Sequence, residues 1–156
     1  MRPAVRVWQV TTREELERCF AIRMAVFVDE QHVEAANEID ALDFAPPTRH
    51  VLAEVGGHDA GTARLLIDEA GHVHVGRVAV HSWARGTGVG RALMNAMHEL
   101  ALDVAGDDVR VELSAQESAM GFYASLGYGV VNRERYLDEG IWHQDMVLTL
   151  RRAEAQ

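Results

Sequence analysis

The chain has 156 residues, 48% of them hydrophobic, a formal charge of −9 and one cysteine. That length and apolar content suit a single soluble domain, residues 1–156. Apolar runs of only a few residues, with no basic-then-apolar leader or lipidation signal, lead us to expect a cytoplasmic protein with no membrane partner. The acidic balance argues against a nucleic-acid partner, which needs a clustered basic face, and Cys19 alone supports neither a disulfide framework nor a metal cluster.

Val5 to Val10 alternates apolar and polar residues as a short strand does, and Thr12 with Glu15 forms a capping box that opens a helix. Leu16, Phe20, Met24 and Phe27 mark one face of that helix up to residues 29–31. The acidic stretch from Val33 to Pro47 has no clear period, so it reads as a loop with at most a short helical turn. Arg49–Val55, Thr62–Ile67 and Val73–Val80 follow as three strands joined by hairpins. Val89, Leu93, Met97, Leu100 and Val104 then line a helix that ends at Gly106. Val109, Val111 and Leu113 alternate as another strand. Ser114 with Glu117 reads as a second capping box, for a short helix bearing Phe122 and Tyr123 that stops at Gly127. A strand near Tyr128 and a last one from Ile141 to Leu150 close the order. This mixture predicts an α/β (α+β) fold: a central mixed, mostly antiparallel sheet, helices on both faces, and a parallel crossover through the glycine-preceded helix. A last strand at a sheet edge would leave a homodimer open.

That helix is preceded by ARGTGVGR, residues 84–91. Free N–H groups and the dipole at a helix N-terminus favour an anion, and glycines let a bulky one approach the backbone. All 15 basic residues are arginine, so the turn lacks the lysine of a nucleotide P-loop. A dinucleotide fingerprint counted from Gly86 fails at Arg91, and the turn lies after hairpins, not after a first βα unit. Arg85, Gly88 and Gly90 do fit the [QR]xxG-x-[GA] pattern, in which the chain resembles the GCN5-related N-acetyltransferases (GNAT). QESAMGFYASLGY from Gln116 is similar to that family's N-x-x-A-x-x-x-Y-x-x-x-G-[FY] helix, with glutamine in place of asparagine. RMAVFVDEQ, NEIDALD, RHVL, VGRVAV, LSAQ and DEGIWHQDM resemble its ElaA-type branch, so the similarity covers nearly the whole chain; Asp29 and Trp142 depart from it, both beside the implied acceptor side.

The resemblance implies the GNAT fold and acetyl transfer from acetyl-CoA, the acyl-donor substrate, to a small-molecule or peptide primary amine, by direct attack through a tetrahedral intermediate. The turn Arg85, Gly86, Thr87, Gly88, Val89, Gly90 and Arg91 would wrap the coenzyme A pyrophosphate, and Val78, Ala79 and Val80 would form the splayed strand that receives the pantetheine. Gln116 would bond the pantetheine or a relay water, and Tyr123 would protonate the leaving thiolate. A lysine-like amine is neutral in only about one molecule in 2500 at pH 7, a deficit of roughly 4.6 kcal/mol, so a proton acceptor is needed. His74, four residues before Val78, is one candidate base. Glu30, Asp40, His143 and Asp145 stand in segments that would border the acceptor. A backbone N–H near Val78 or Ala79 would stabilise the oxyanion, and no metal is implied: His32, His50, His58, His72, His81 and His98 show no ligand spacing of a metal site.

Two alternatives stay open. Arg23, Phe27, Glu38, Asp40 and Asp43 more loosely resemble the R-x-x-x-F and E-x-D-x-x-D arrangement of acyl-homoserine-lactone synthases, although the same acidic cluster also reads as a solvated loop. A non-catalytic acyl-CoA sensor would bind donor and be indifferent to Tyr123→Phe.

Overall fold

The computed structural model describes residues 4–152. Its strands are β1 (Val5–Gln9), β2 (Arg49–Val55), β3 (His58–Glu69), β4 (His72–Val80), β5 (Asp108–Gln116), β6 (Gly129–Val130), β7 (Tyr136–Asp138) and β8 (Ile141–Arg151). They form one sheet in the order β1-β2-β3-β4-β5-β8-β6, with β7 also on β8. Every pairing is antiparallel except β4 with β5, which are joined by the long helix α3 (Val89–Ala105) that follows the short helices α1 (Arg13–Arg23) and α2 (Ala35–Glu38). No helix among the described residues is long and apolar enough to cross a membrane.

Alternation along the strands sends side chains to two faces. Ala53, Leu65, Val73, Val75 and Val111 pack under Leu93, Met94, Met97 and Ala101 of α3 in the main core. Leu52 and Ala79 meet Cys19, Ile22 and Val26 on the opposite face. The helices therefore cover both faces, as the sequence predicts. Gly61 sets how closely α3 approaches: a Cβ there would meet Leu93 Cδ1 at 2.9 Å, Ala79 O at 3.0 Å and Val89 Cγ1 at 3.1 Å.

The Thr12–Glu15 capping box forms, with Thr12 Oγ1 accepting from Glu15 N at 3.1 Å. Past Arg23 the helix widens into π winding over Met24–Glu30, so that Gln31 N–H reaches back five residues to Val26 O at 3.2 Å. The buried face is not the expected stripe of Leu16, Phe20, Met24 and Phe27: Cys19, Ile22, Arg23 and Val26, spaced three or four apart, are buried with Phe20, and the stripe passed over Arg23 because its side chain is charged. Arg23, 1% exposed, explains the acidic stretch after it. Its guanidinium donates to Glu38 Oε2 at 3.0 Å and to both oxygens of Asp43 at 2.7 and 3.0 Å. Arg64 donates to Asp43 and Asp40, and Arg77 pairs with Glu38 and Asp40. The cluster is a buried ion network that pins α2 and the 3-10 turn Ala41–Phe44 to the sheet, not a solvated loop.

Two further expectations are corrected. Ser114 caps nothing: it sits within β5, held extended opposite Asp145, and α4 (Met120–Ser125) begins without a side-chain cap. The last strand is an edge only in part: β8 lies between β5 and the short strands β6 and β7, which cover Ile141–His143 and Met146–Val147 and leave its C-terminal residues without a strand partner on that side among the described residues.

Candidate active site

The sheet opens where its one parallel pair ends. β4 and β5 are paired only at His72↔Arg110, Val73↔Val111 and His74↔Glu112, after which both strands continue apart, to Val80 and to Gln116. A bulge in β4 causes this. Arg64 faces Gly76 and Thr62 faces Ala79, so Ala63 alone opposes Arg77 and Val78, and Arg77 takes a left-handed φ of 50°. An extra residue bends a strand and increases its twist, which carries the C-terminal half of β4 away from β5. The resulting cleft encloses about 870 Å³, within the usual range for small-molecule sites.

One end of the cleft is the start of α3. Gly86 and Gly88 have φ of 80° and 89°, a conformation that disfavours any side chain, and a Cβ at either would meet nothing within 4 Å. Gly88 is the N-cap and no side chain caps the helix, so the first-turn N–H groups face the opening with the dipole behind them. Arg85 and Arg91 flank the turn and line the cleft. Arg85 donates to Glu30 Oε1 at 2.8 Å and Val80 O at 3.2 Å, and Arg91 to Ser125 Oγ at 3.4 Å. Thr87 and Val89 do not line the opening: Thr87 bonds Ala84 O, and Val89 is core.

In the middle, Val78 and Val80 of β4 face Leu113 and Gln116 of β5, with Tyr123 of α4 beside them. Ala79 points the other way, into the α1 face. Tyr123 is 8% exposed, and burial pushes its hydroxyl up to about 12. Gln116 and Gln31 exchange amide hydrogen bonds of 2.7 and 3.3 Å, tying the end of β5 to the π-wound segment.

The far end contains His143, the register partner of Gln116. The His143 ring is buried, stacked on Tyr136 at 5.9 Å, with Nδ1 2.7 Å from Ile141 O. A carbonyl only accepts, so Nδ1 carries a hydrogen, which leaves Nε2 as the nitrogen that can take or give a proton. Asp145 does not line the cleft: it accepts from Tyr136 Oη, which also bonds Ser114. Asn37, Glu38, Asp138 and Glu139 rim this end, and Asn37 Nδ2 donates to Glu139 Oε1 across it at 2.9 Å.

Three more of the expected site residues, His74, Asp40 and Glu30, lie outside the lining. His74 is on the paired half of β4, its ring held between Asp68 and Glu112, outside the cleft. Asp40 is engaged by Arg64 and Arg77 in the buried network. Glu30 is outside the lining and reaches the site only through Arg85. Sequence reasoning missed Gln31, Arg77 and Asn37; only the π winding, the bulge and the fold of the acidic stretch bring them to the cleft. Of the two departures from the family pattern, Asp29 is exposed and Trp142 turns outward under the guanidinium of Arg135 at 4.2 Å.

Comparison with known proteins agrees with this geometry. The family described as "Acetyltransferase (GNAT) domain" matches residues 9–150. Protein ElaA of Escherichia coli is 34% identical over 134 residues, 85% of this chain and 86% of that protein. Its crystal structure superposes with a TM-score of 0.81 at 30% identity, covering 92% of this chain and 99% of that one. An acyl-CoA N-acyltransferase from Pseudomonas aeruginosa gives a TM-score of 0.80 at 31% identity, covering 96% and 100%. A CoA-dependent acyl-homoserine lactone synthase, BjaI, reaches a TM-score of 0.76 at 20% identity over 96% of this chain and 85% of that one, a likeness of fold alone.

Proposed function

The chain belongs to the acetyltransferase (GNAT) family, and from that premise we propose that it moves an acetyl group from acetyl-CoA to a primary amine. The observation that carries the reading is the junction of three features: strands β4 and β5 parting, an uncapped α3 N-terminus at one end of the gap, and Tyr123 in its wall. The residues fit the donor. Free N–H groups and open space at Gly86 and Gly88 suit a pyrophosphate, Arg85 and Arg91 add charge-assisted contacts, and the unpaired backbone of β4 and β5 suits an amide-bearing arm.

In the proposed step the amine nitrogen attacks the thioester carbonyl, a C–N bond forms and the C–S bond breaks. The amine's proton passes to His143 Nε2, directly or through water, which replaces His74 as the base. Tyr123 gives its proton to the thiolate; because burial keeps that proton on the hydroxyl at neutral pH, the group is always ready as a donor. A backbone N–H of the bent stretch near Val78 supports the oxyanion. Gln116, fixed by Gln31, holds the donor arm or a relay water. The acidic rim of Asp138 and Glu139 favours an acceptor that arrives as a cation.

For the lactone-synthase alternative, Arg23, Glu38 and Asp43 pair with one another inside the protein, so they act on the cleft by holding its wall. The deciding experiment is thiol release from acetyl-CoA across a panel of polyamines, aminoglycosides, amino acids and peptide N-termini, with mass spectrometry of the products. Acetylation that depends on Tyr123 is expected for a cationic amine. Donor binding without turnover on any amine would overturn the reading in favour of a sensor.

A further inference from the structure

A second group of chemistry-bearing side chains stands on the paired half of β4, outside the cleft. His72 and His74 are two residues apart on a strand, so both rings leave the same face, with centroids 5.3 Å apart. The register of β3 against β4 slips between Ile67 and Glu69. Asp68 is the extra residue of that irregularity, and its carboxylate reaches both rings, 3.9 Å from His72 Nδ1 and in contact with His74 Nδ1. Donor atoms of Asp68, His72 and His74 all lie within 4.8 Å of one another. On the other side of the rings Glu112 places Oε2 3.2 Å from His74 Nε2 and Oε1 3.5 Å from His72 Nε2.

We propose that this is a divalent transition-metal site. Nδ1 of His72, Nδ1 of His74 and the Asp68 carboxylate are the ligands, water completes the shell, and Glu112 receives the two Nε2–H groups. A tetrahedral zinc site has donor-to-donor edges of about 3.3–3.6 Å, so the present spacing closes with side-chain adjustment alone. Nε2 of His72 is buried and makes no hydrogen bond. Metal at Nδ1 fixes the Nε2–H tautomer and aims it at Glu112, the arrangement in which an outer carboxylate orients a ligating imidazole. The carboxylates of Asp68 and Glu112 carry two negative charges around the rings, with Glu69 3.9 Å from His72 Nδ1 and Arg110 2.8 Å from Glu112 as the other charged neighbours. The mixed N and O donors suit Zn²⁺, Co²⁺ or Ni²⁺ better than Ca²⁺ or Mg²⁺. The spacing of these histidines in the sequence conceals the site, because its third ligand arrives through an irregularity of the neighbouring strand. Such an ion would clamp β3, β4 and β5 at the three residue pairs where β4 and β5 still meet, at the hinge of the cleft.

The test is titration of the untagged full chain with Zn²⁺ by calorimetry, repeated with Co²⁺ to read its visible absorption, and thermal melts with and without Zn²⁺. One Zn²⁺ per chain is expected, with a melting temperature that rises at saturation. His74→Gln and, separately, the exposed Asp68→Asn should each weaken binding about tenfold or more and abolish that rise. No binding by the folded wild-type chain, or one whose stoichiometry and affinity are unchanged in a His72→Gln/His74→Gln variant, would overturn the proposal and leave the group an ion-paired cluster only.

Discussion

At Tyr123 burial packs the ring and, in the proposed reaction, also keeps the acid's proton in place. Its ring is in the main core, edge-on to Phe122 at 5.2 Å and to Tyr128 at 5.8 Å, while the residue borders the cleft. Phenylalanine keeps the ring and removes only the proton. Tyr123→Phe should therefore lower kcat by about 10²–10⁴-fold, with the KM for acetyl-CoA within a few fold. The check that separates an acid from a packing role is the leaving group. With an aryl thioester donor, whose thiolate needs no proton, the loss should shrink to a few fold; an equal loss with both donors would remove the acid assignment. The glycine turn and Tyr123 could be singled out from the sequence as fixed patterns over a few residues, and both line the cleft. The proposed proton acceptor was only one of several residues expected near the acceptor, because His143 takes its ring orientation from a carbonyl two residues away, on its own strand, and its place in the cleft from the register with Gln116.

The elements show where periodicity carries information and where it fails. The hairpin strands and α3 repeat over enough residues to be read, but β6 and β7 have two and three residues, too short to show any alternation. The π-wound segment breaks the helical period just after Arg23, and Gln31 at its end meets Gln116. Burial of Arg23 makes a strong prediction. Arg23→Ala would leave Glu38 and Asp43 without their main partner, and removing one member of a buried ion pair costs about 3–5 kcal/mol. At about 2–4 °C per kcal/mol for a chain of this size, calorimetry should show a melting temperature lower by roughly 6–20 °C; a shift of a degree or two would mean that the network is not stabilising. Gly61→Ala tests the α3 contact independently. Its new methyl meets the carbonyl of Ala79 as well as movable side chains, so overpacking of about 1–3 kcal/mol is expected in urea melts. An unchanged midpoint would show that α3 can lift from β3 without strain.

On the scale of the whole molecule, the sheet is two blocks, β1–β4 and β5–β8, hinged at three residue pairs and bridged by α3, and the cleft is the gap between them. Such a molecule keeps its opening only if the surrounding core is firm, and the titrating groups of that core set the pH range in which it stands. Burial raises Tyr123 to about 12, and burial with the neighbouring Tyr123 charge raises Tyr128 further. A phenol raised in this way contributes stability that is fully present below its ordinary value near 10 and lost as pH rises through the folded value. For Tyr123 alone the loss is on the order of 2–3 kcal/mol by pH 12. On the acid side, burial alone would raise Asp43, but its bonds to Arg23 and the Asp40 N–H, with the charges of Arg23 and Arg64, hold it at about 2. Burial likewise lowers His50 and His98. Those contributions are complete above the ordinary values and are lost as pH falls, the histidines first and Asp43 last. Urea midpoints should accordingly form a plateau between about pH 7 and 10, with losses on both sides. The decisive comparison is Tyr123→Phe, whose midpoint should fall less steeply than the wild type's between about pH 10 and 12. If the two alkaline limbs were parallel, the groups responsible would lie outside the wall of the cleft, and the buried hydroxyl assigned as the acid would not be the group held neutral by the fold.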